Sequence, residues 1–143
     1  MRRFLTYWLP ALAWAAMILA ASSDLFSASH TGSWIEKLTS TLGHGLAPRT
    51  LELVNHILRK LGHLTAYGIL SALSFRALRG EESRWTLRWA IGAVAMAILV
   101  ASIDEFHQSF VPSRTGMWQD VLLDTVGATF MQITIRVLLF RAP

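Results

Sequence analysis

Residues 89–103 read WAIGAVAMAILVASI, a run without one charged side chain, and the residue that follows is Asp104. Counted from Trp85, this apolar stretch approaches the roughly 20 residues that a helix needs to cross a ~30 Å hydrocarbon core. Lipid offers no partner for an open backbone, so a helix is the conformation this run must adopt there. Three further stretches have similar length and character: about Phe4 to Ala21, about Ile57 to Leu78, and about Val121 to Phe140. The sequence thus predicts an all-α polytopic membrane protein, with four transmembrane helices in a small bundle. Their apolar residues surround each helix, so periodicity does not say which faces meet.

Composition agrees. Of 143 residues, 53% are hydrophobic and only 15% charged, whereas a soluble domain carries about 25% charged residues. The length suits a single domain, residues 1–143, and we find no internal repeat, low-complexity tract or linker. Without cysteine there is no disulfide framework, zinc–thiolate site or thiol nucleophile. The net charge of +4 does not indicate nucleic acid, because the basic residues fall at the ends of apolar runs and form no groove-like cluster. Arg2, Arg3 and the Ala20-Ala21-Ser22 triplet resemble a secretory leader, but the apolar run exceeds the ~7–15 residues of a signal core. It reads as a retained span.

Lysine and arginine set the orientation. Arg2, Arg3, Arg76, Arg79, Arg84, Arg88, Arg136 and Arg141 fall on one side of a four-span arrangement, and Lys37, Arg49, Arg59, Lys60 and Arg114 on the other. The positive-inside rule places both termini in the cytoplasm. The segments from about Ser22 to His56 and from about Asp104 to Gln119 then face outward. In the first, Ser33-Trp34-Ile35-Glu36 forms a capping box, and Trp34, Ile35, Leu38 and Leu42 recur at helical spacing. A short interfacial helix on the outer surface is expected, ended by Gly43 and Gly45. Pro48 suits the first turn of another helix, one that runs into span two.

The same orientation gathers ionisable groups on the outward side. All five histidines, His30, His44, His56, His63 and His107, lie there, together with Asp24, Glu36, Glu52, Asp104, Glu105, Asp120 and Asp124. A charge inside the bilayer costs at least ~2.5–3.5 kcal/mol at a helix centre, and less near its ends. Such residues persist by pairing or by facing a wet cavity. Lys60, His63 and Tyr67 stand at i, i+3 and i+7 on one helical stripe. Asp120 and Asp124 share a face of span four, and Asp104 and Gln108 share one if span three continues that far. Read without function, these residues are a clamp: Lys60 and Arg114 neutralise two carboxylates and lock three helix ends together. On that reading Glu105 and His107 are solvated loop positions.

The combination Lys60-x-x-His63-x-x-x-Tyr67, Asp104-Glu105-x-x-Gln108-x-Phe110-x-Pro112-x-Arg114 and Asp120-x-x-x-Asp124-x-x-Gly127 resembles the VanZ-like family of bacterial membrane proteins. The resemblance covers roughly the last 85 residues, and the first span matches only in being apolar. Ser113 stands where the family usually has glycine, and Asp124 where asparagine is common, which adds a negative charge. The resemblance implies a bacterial cytoplasmic-membrane protein connected with the cell envelope. The family's founding member is associated with low-level resistance to the glycopeptide teicoplanin, a phenotype that names no reaction.

Three functions fit these residues. In the first, the outward pocket binds a lipid-linked or phosphate-bearing envelope component. Lys60, Arg114 and His63 hold the phosphate, Asp104 and Asp120 orient the cations, and Tyr67 and Gln108 supply hydrogen bonds; Asp124 belongs to the same ligand-binding set, its added negative charge favouring a cation in the site. In the second, the protein is an enzyme acting on a lipid headgroup. Asp104 or Glu105 is then the general base, His63 or His107 the acid, and Lys60 or Arg114 stabilises developing charge. Asp104, Glu105, His107, Asp120 and Asp124 alternatively offer ligands to a divalent cation, but no recognised metal spacing is present. No metal-ligand set and no cofactor are therefore assigned. In the third, the protein is a non-catalytic structural or partner-binding module. Transport is disfavoured, because four short helices leave little room for repeated halves and broken helices. Membrane lipids are the expected partners, and a homo-oligomer is compatible with the sequence.

Overall fold

The computed structural model of the chain describes residues 2–21, 33, 37, 41, 47–110 and 117–140. Four long helices run through them: α1 Arg2–Ala21, α2 Pro48–Arg79, α3 Leu87–Gln108 and α4 Trp118–Leu139. Each predicted span thus becomes a helix, with two extensions that matter. Pro48 opens α2, as its preset φ and missing N–H allow at a first turn, and the helix continues unbroken through the second apolar stretch. The expected outward link begins later than Asp104, because α3 carries on to Gln108. Of the interfacial helix, Ser33, Lys37 and Thr41 are helical, and the rest of it lies outside the described residues.

Cross-helix contacts give the topology. Trp14 Nε1 donates to the Ala66 carbonyl at 2.9 Å, and Arg3 meets Glu81 at 3.2 Å, so α1 runs antiparallel to α2. Arg59 pairs with Gln108 and Tyr67 with Asp104, so α3 is antiparallel to α2. His63 faces Asp124 and Ser71 faces Ala128, so α4 is parallel to α2. The bundle therefore goes up, down, up, down, with α2 packed against each of the others. Gly80, at φ 60°, makes the reversal after α2 and donates its N–H to the Arg76 carbonyl at 3.0 Å. Only glycine adopts that backbone conformation without a Cβ penalty.

The packing is inside out relative to a soluble bundle. The buried face of α3 is Ala90, Ala93, Ala97 and Ala101, leading to Asp104 and Gln108, whereas Ile91, Leu99 and Ile103 point outward. On α4, Leu122, Val126, Phe130 and Ile133 are exposed, while Asp124, Ala128 and Gln132 are buried. Large apolar residues facing out over a whole bundle indicate an apolar surround, and small residues inside let helix backbones approach. α2 and α4 approach closely at Gly127. A Cβ added to Gly127 would stand 3.0 Å from the Leu64 Cα and closer still to its carbonyl oxygen. The two backbones touch there, about one turn from Asp124.

Among the described residues, three helices suit a membrane crossing by length and apolarity: α1, α3 and α4. The 32-residue α2 is long enough but carries His63, Tyr67, Ser71 and Ser74 on the stripe it turns inward.

Candidate functional site

The inward stripe of α2, the end of α3 and the start of α4 meet in one polar cluster. Asp104, Asp124 and Gln108 are 2%, 1% and 0% exposed, and Glu105 is 7% exposed. Burial at this level asks each polar group for a partner. Tyr67 Oη donates to Asp104 Oδ2 at 3.3 Å, and Gln108 Nε2 donates to the same oxygen at 3.1 Å. Arg59 Nη2 donates to Gln108 Oε1 at 3.4 Å. That contact settles the amide's orientation: with the oxygen toward Arg59, the NH2 must face Asp104. A chain of donors thus runs from Arg59 through Gln108 to Asp104 Oδ2. Asp104 Oδ1 has no hydrogen-bond partner among the described residues.

A second pair lies beside it. His63 Nδ1 is 3.3 Å from Asp124 Oδ1, a charge contact too oblique to count as a hydrogen bond, and neither Asp124 oxygen has such a bond among the described residues. The His63 ring lies 6.3 Å from that of Tyr67 in a stacked orientation. A buried carboxylate beside one imidazole nitrogen favours the protonated ring by charge attraction. Glu105 joins two helices, because its Oε2 accepts the Met117 N–H at 2.7 Å. That N–H is among the orphan donors that open α4, which has no side-chain cap of its own. Glu105 thereby ties the end of α3 to the start of α4.

Above these carboxylates is a cavity of about 260 Å³ lined by His56, Arg59, Lys60 and His63 from α2 and by Met117, Gln119, Asp120 and Leu123 from the start of α4. The four α2 residues occur at i, i+3, i+4 and i+7, so one helical face supplies two cations and two imidazoles. The site is graded: carboxylates at the buried floor, and the cations Arg59 and Lys60 at the rim, where Asp120 faces the same cavity.

Most of the residues expected from sequence converge here: His63, Tyr67, Asp104, Glu105, Gln108, Asp120 and Asp124. Three expectations change. Glu105 is not a solvated loop residue but a buried helical one. His107 is exposed on the outer side of α3, because one residue's rotation about the helix separates it from Gln108. Lys60 does not neutralise a buried carboxylate: it is exposed at the rim, and among the described residues Arg59 is the cation that reaches the network. Arg114 lies outside the described residues. Among the described residues, no three of His, Asp and Glu are placed to hold a metal ion.

Sequence reasoning missed Arg59, His56 and a second polar layer one turn deeper. There Gln132 Nε2 donates to Ser71 Oγ at 2.7 Å and to the Ser71 carbonyl at 3.0 Å, and Ser71 Oγ donates to the Ala128 carbonyl at 3.1 Å. The signal was present. Ser71 and Ser74 continue the stripe of His63 and Tyr67, and Gln132 continues that of Asp124 by two further turns.

No curated protein and no solved structure matches the chain. A family model described as VanZ/LLP1 matches residues 7–140, which takes in the polar cluster and nearly all of the four helices. Together with three helices long and apolar enough to span a bilayer, that match makes the chain a membrane protein of the VanZ/LLP1 family.

Proposed function

We propose that this protein spans the bacterial cytoplasmic membrane four times, with both termini inside, and binds the phosphate-bearing headgroup of an envelope lipid in its outward pocket. Support for the fourth span comes from α2 running antiparallel to α3 along its length, between Gln108 at one end and Ala90, packed with Phe75, at the other. A helix paired in that way with a spanning helix spans too, and its polar stripe is tolerable because it faces the bundle interior. Along α3, Arg88 and Asp104 are 16 residues apart, or about 24 Å. With Arg88 at one edge of a ~30 Å core, the carboxylates sit about 6 Å inside its opposite edge, roughly one helical turn below the lipid headgroups.

The single observation that carries the ligand class is the α2 face of His56, Arg59, Lys60 and His63 turned into one cavity. Arginine and lysine at one rim suit a phosphate, the former by its two-pronged donor geometry. The cavity, about 260 Å³, is just under the ~300 Å³ at which small-molecule pockets begin. It accommodates a headgroup and leaves the chains to the bilayer. Purified protein should retain a labelled polyprenyl phosphate over the corresponding polyprenol. Arg59→Gln with Lys60→Gln should remove that preference, whereas Arg84→Gln, at the other membrane surface, should keep it. Equal loss in both would reduce the binding to nonspecific charge attraction. An envelope role also predicts altered teicoplanin susceptibility in a bacterial host expressing the protein.

A second reading is favoured by the His63–Asp124 contact. With His63 lining the cavity and backed by a buried carboxylate, the pair can move a proton to or from a bound headgroup. Asp124→Asn is the discriminating variant. Binding retained with turnover lost identifies an enzyme, and binding retained with no turnover in either protein identifies a binding module.

A further inference from the structure

A larger cavity lies away from the polar cluster, in the seam between α3 and α4 toward the arginine-bearing end. Its volume is about 490 Å³. Ala90 and Gln132 form its buried floor, and Ile91, Ile98, Ile133 and Val137 rise beside it as exposed walls. The trough exists because Ala90 and Ala95 place only methyl groups where larger side chains would close the two helices over it. Its α3 side runs from Leu87 to Ile98, about 16 Å along the axis. One end is polar: Arg136 lines it together with Trp85, and the guanidinium stands 5.1 Å over the indole. The combination is a long apolar slot, open along the side of the bundle, with a cation and an amphipathic aromatic at its mouth.

We propose that this groove binds an anionic glycerophospholipid of the leaflet at the arginine end, one acyl chain in the α3–α4 seam and the phosphate on Arg136. Charge complementarity selects the occupant. Arg136 and Trp85 occur at the end of the bundle that also carries Arg79 and Arg88, the level at which aromatic and basic residues meet headgroups. A slot of this shape matches a flexible chain, and its apolar lining rejects water. The site is separate from the outward headgroup cavity: they share no residue, and the groove stops at Ile98 and Thr129, roughly two turns short of Asp104 and one to two of Asp124.

One arginine near a membrane surface favours an anionic lipid about fivefold. Native mass spectrometry of purified protein with phosphatidylglycerol and phosphatidylcholine of identical chains should show about that preference. Arg136→Gln should abolish the preference and leave weak binding of both lipids. Ala95→Phe, which fills the slot from its lipid-facing edge, should abolish binding of both. Arg49→Gln, an exposed cation in the first turn of α2 that lines neither cavity, should change nothing. The proposal is overturned if Arg136→Gln keeps the preference, if Ala95→Phe keeps the lipid, or if Arg49→Gln removes the preference, which would reduce it to nonspecific charge attraction. Disulfide cross-linking between two Ile133→Cys chains, undiminished by phosphatidylglycerol, would equally overturn it in favour of a second copy in the groove.

Discussion

The Asp104 network makes a quantitative prediction about cooperativity. Asp104 Oδ2 receives two donors, the Tyr67 hydroxyl at 3.3 Å and the Gln108 amide at 3.1 Å, while Oδ1 has none among the described residues. Interhelical hydrogen bonds in membranes average about 0.6 kcal/mol and reach about 1.7, and a charged acceptor raises the range to about 1.5–3. The Tyr67 bond is long, so Tyr67→Phe should cost about 1 kcal/mol. Gln108→Met removes the shorter bond and the link to Arg59, and should cost about 2 kcal/mol. Each single variant leaves Asp104 one donor, whereas the double variant strips both from a carboxylate that is 2% exposed. Breaking the last partnership of a buried charge costs about 3–5 kcal/mol, so the pair should destabilise by more than the ~3 kcal/mol sum. At about 3 °C per kcal/mol, thermal unfolding in lipid nanodiscs should fall by about 3 °C, 6 °C and well over 9 °C respectively. Strict additivity, or single variants that unfold like the parent, would refute the assignment of these two side chains as the groups holding Asp104.

Other regions give independent checks. Gly127→Val places branched carbon against the Leu64 backbone, so it should abolish folded protein on size-exclusion chromatography, whereas Leu122→Val, on the exposed face of α4, should not. Ser71→Ala removes its Oγ bonds but leaves Gln132 the Ser71 carbonyl, so the loss should be near ~1 kcal/mol, with lipid binding unchanged. Cysteine accessibility should place Lys60→Cys and Gln119→Cys outside and Arg84→Cys inside in intact cells. Labelling of Lys60→Cys and Arg84→Cys from one side would remove α2 from the spans.

How much was legible beforehand follows from what each signal depends on. The apolar runs, and therefore the helices, could be read directly, because a bilayer demands length and apolarity and the backbone has few ways to comply. That Asp104 and Gln108 share a stripe of α3, and His63 and Tyr67 one of α2, was legible too, since spacings of three and four residues place side chains on one face whatever the packing. Rotation was not. Arg59 and Lys60 are neighbours in sequence, with nothing in their chemistry to say which turns toward Gln108. The ridge fit between α2 and α3 decides that, and it makes Arg59 the network's cation and Lys60 a rim residue.

The same holds for Glu105 and His107. Their sequence context read as a link between spans, and only the continuation of α3 to Gln108 made one a buried tie to α4 and the other an outward-facing side chain. Amino-acid order by itself determined that this chain enters a membrane as helices and that its histidines and most of its carboxylates fall toward one end. Tertiary structure alone decided which oxygens have donors, where the headgroup-sized cavity opens, and that two alanines leave a slot between α3 and α4. The physical reason is one of range: solvent transfer and helical repeat act on local sequence, whereas hydrogen-bond partners and voids exist only once helices distant in the chain are set at fixed rotation and depth.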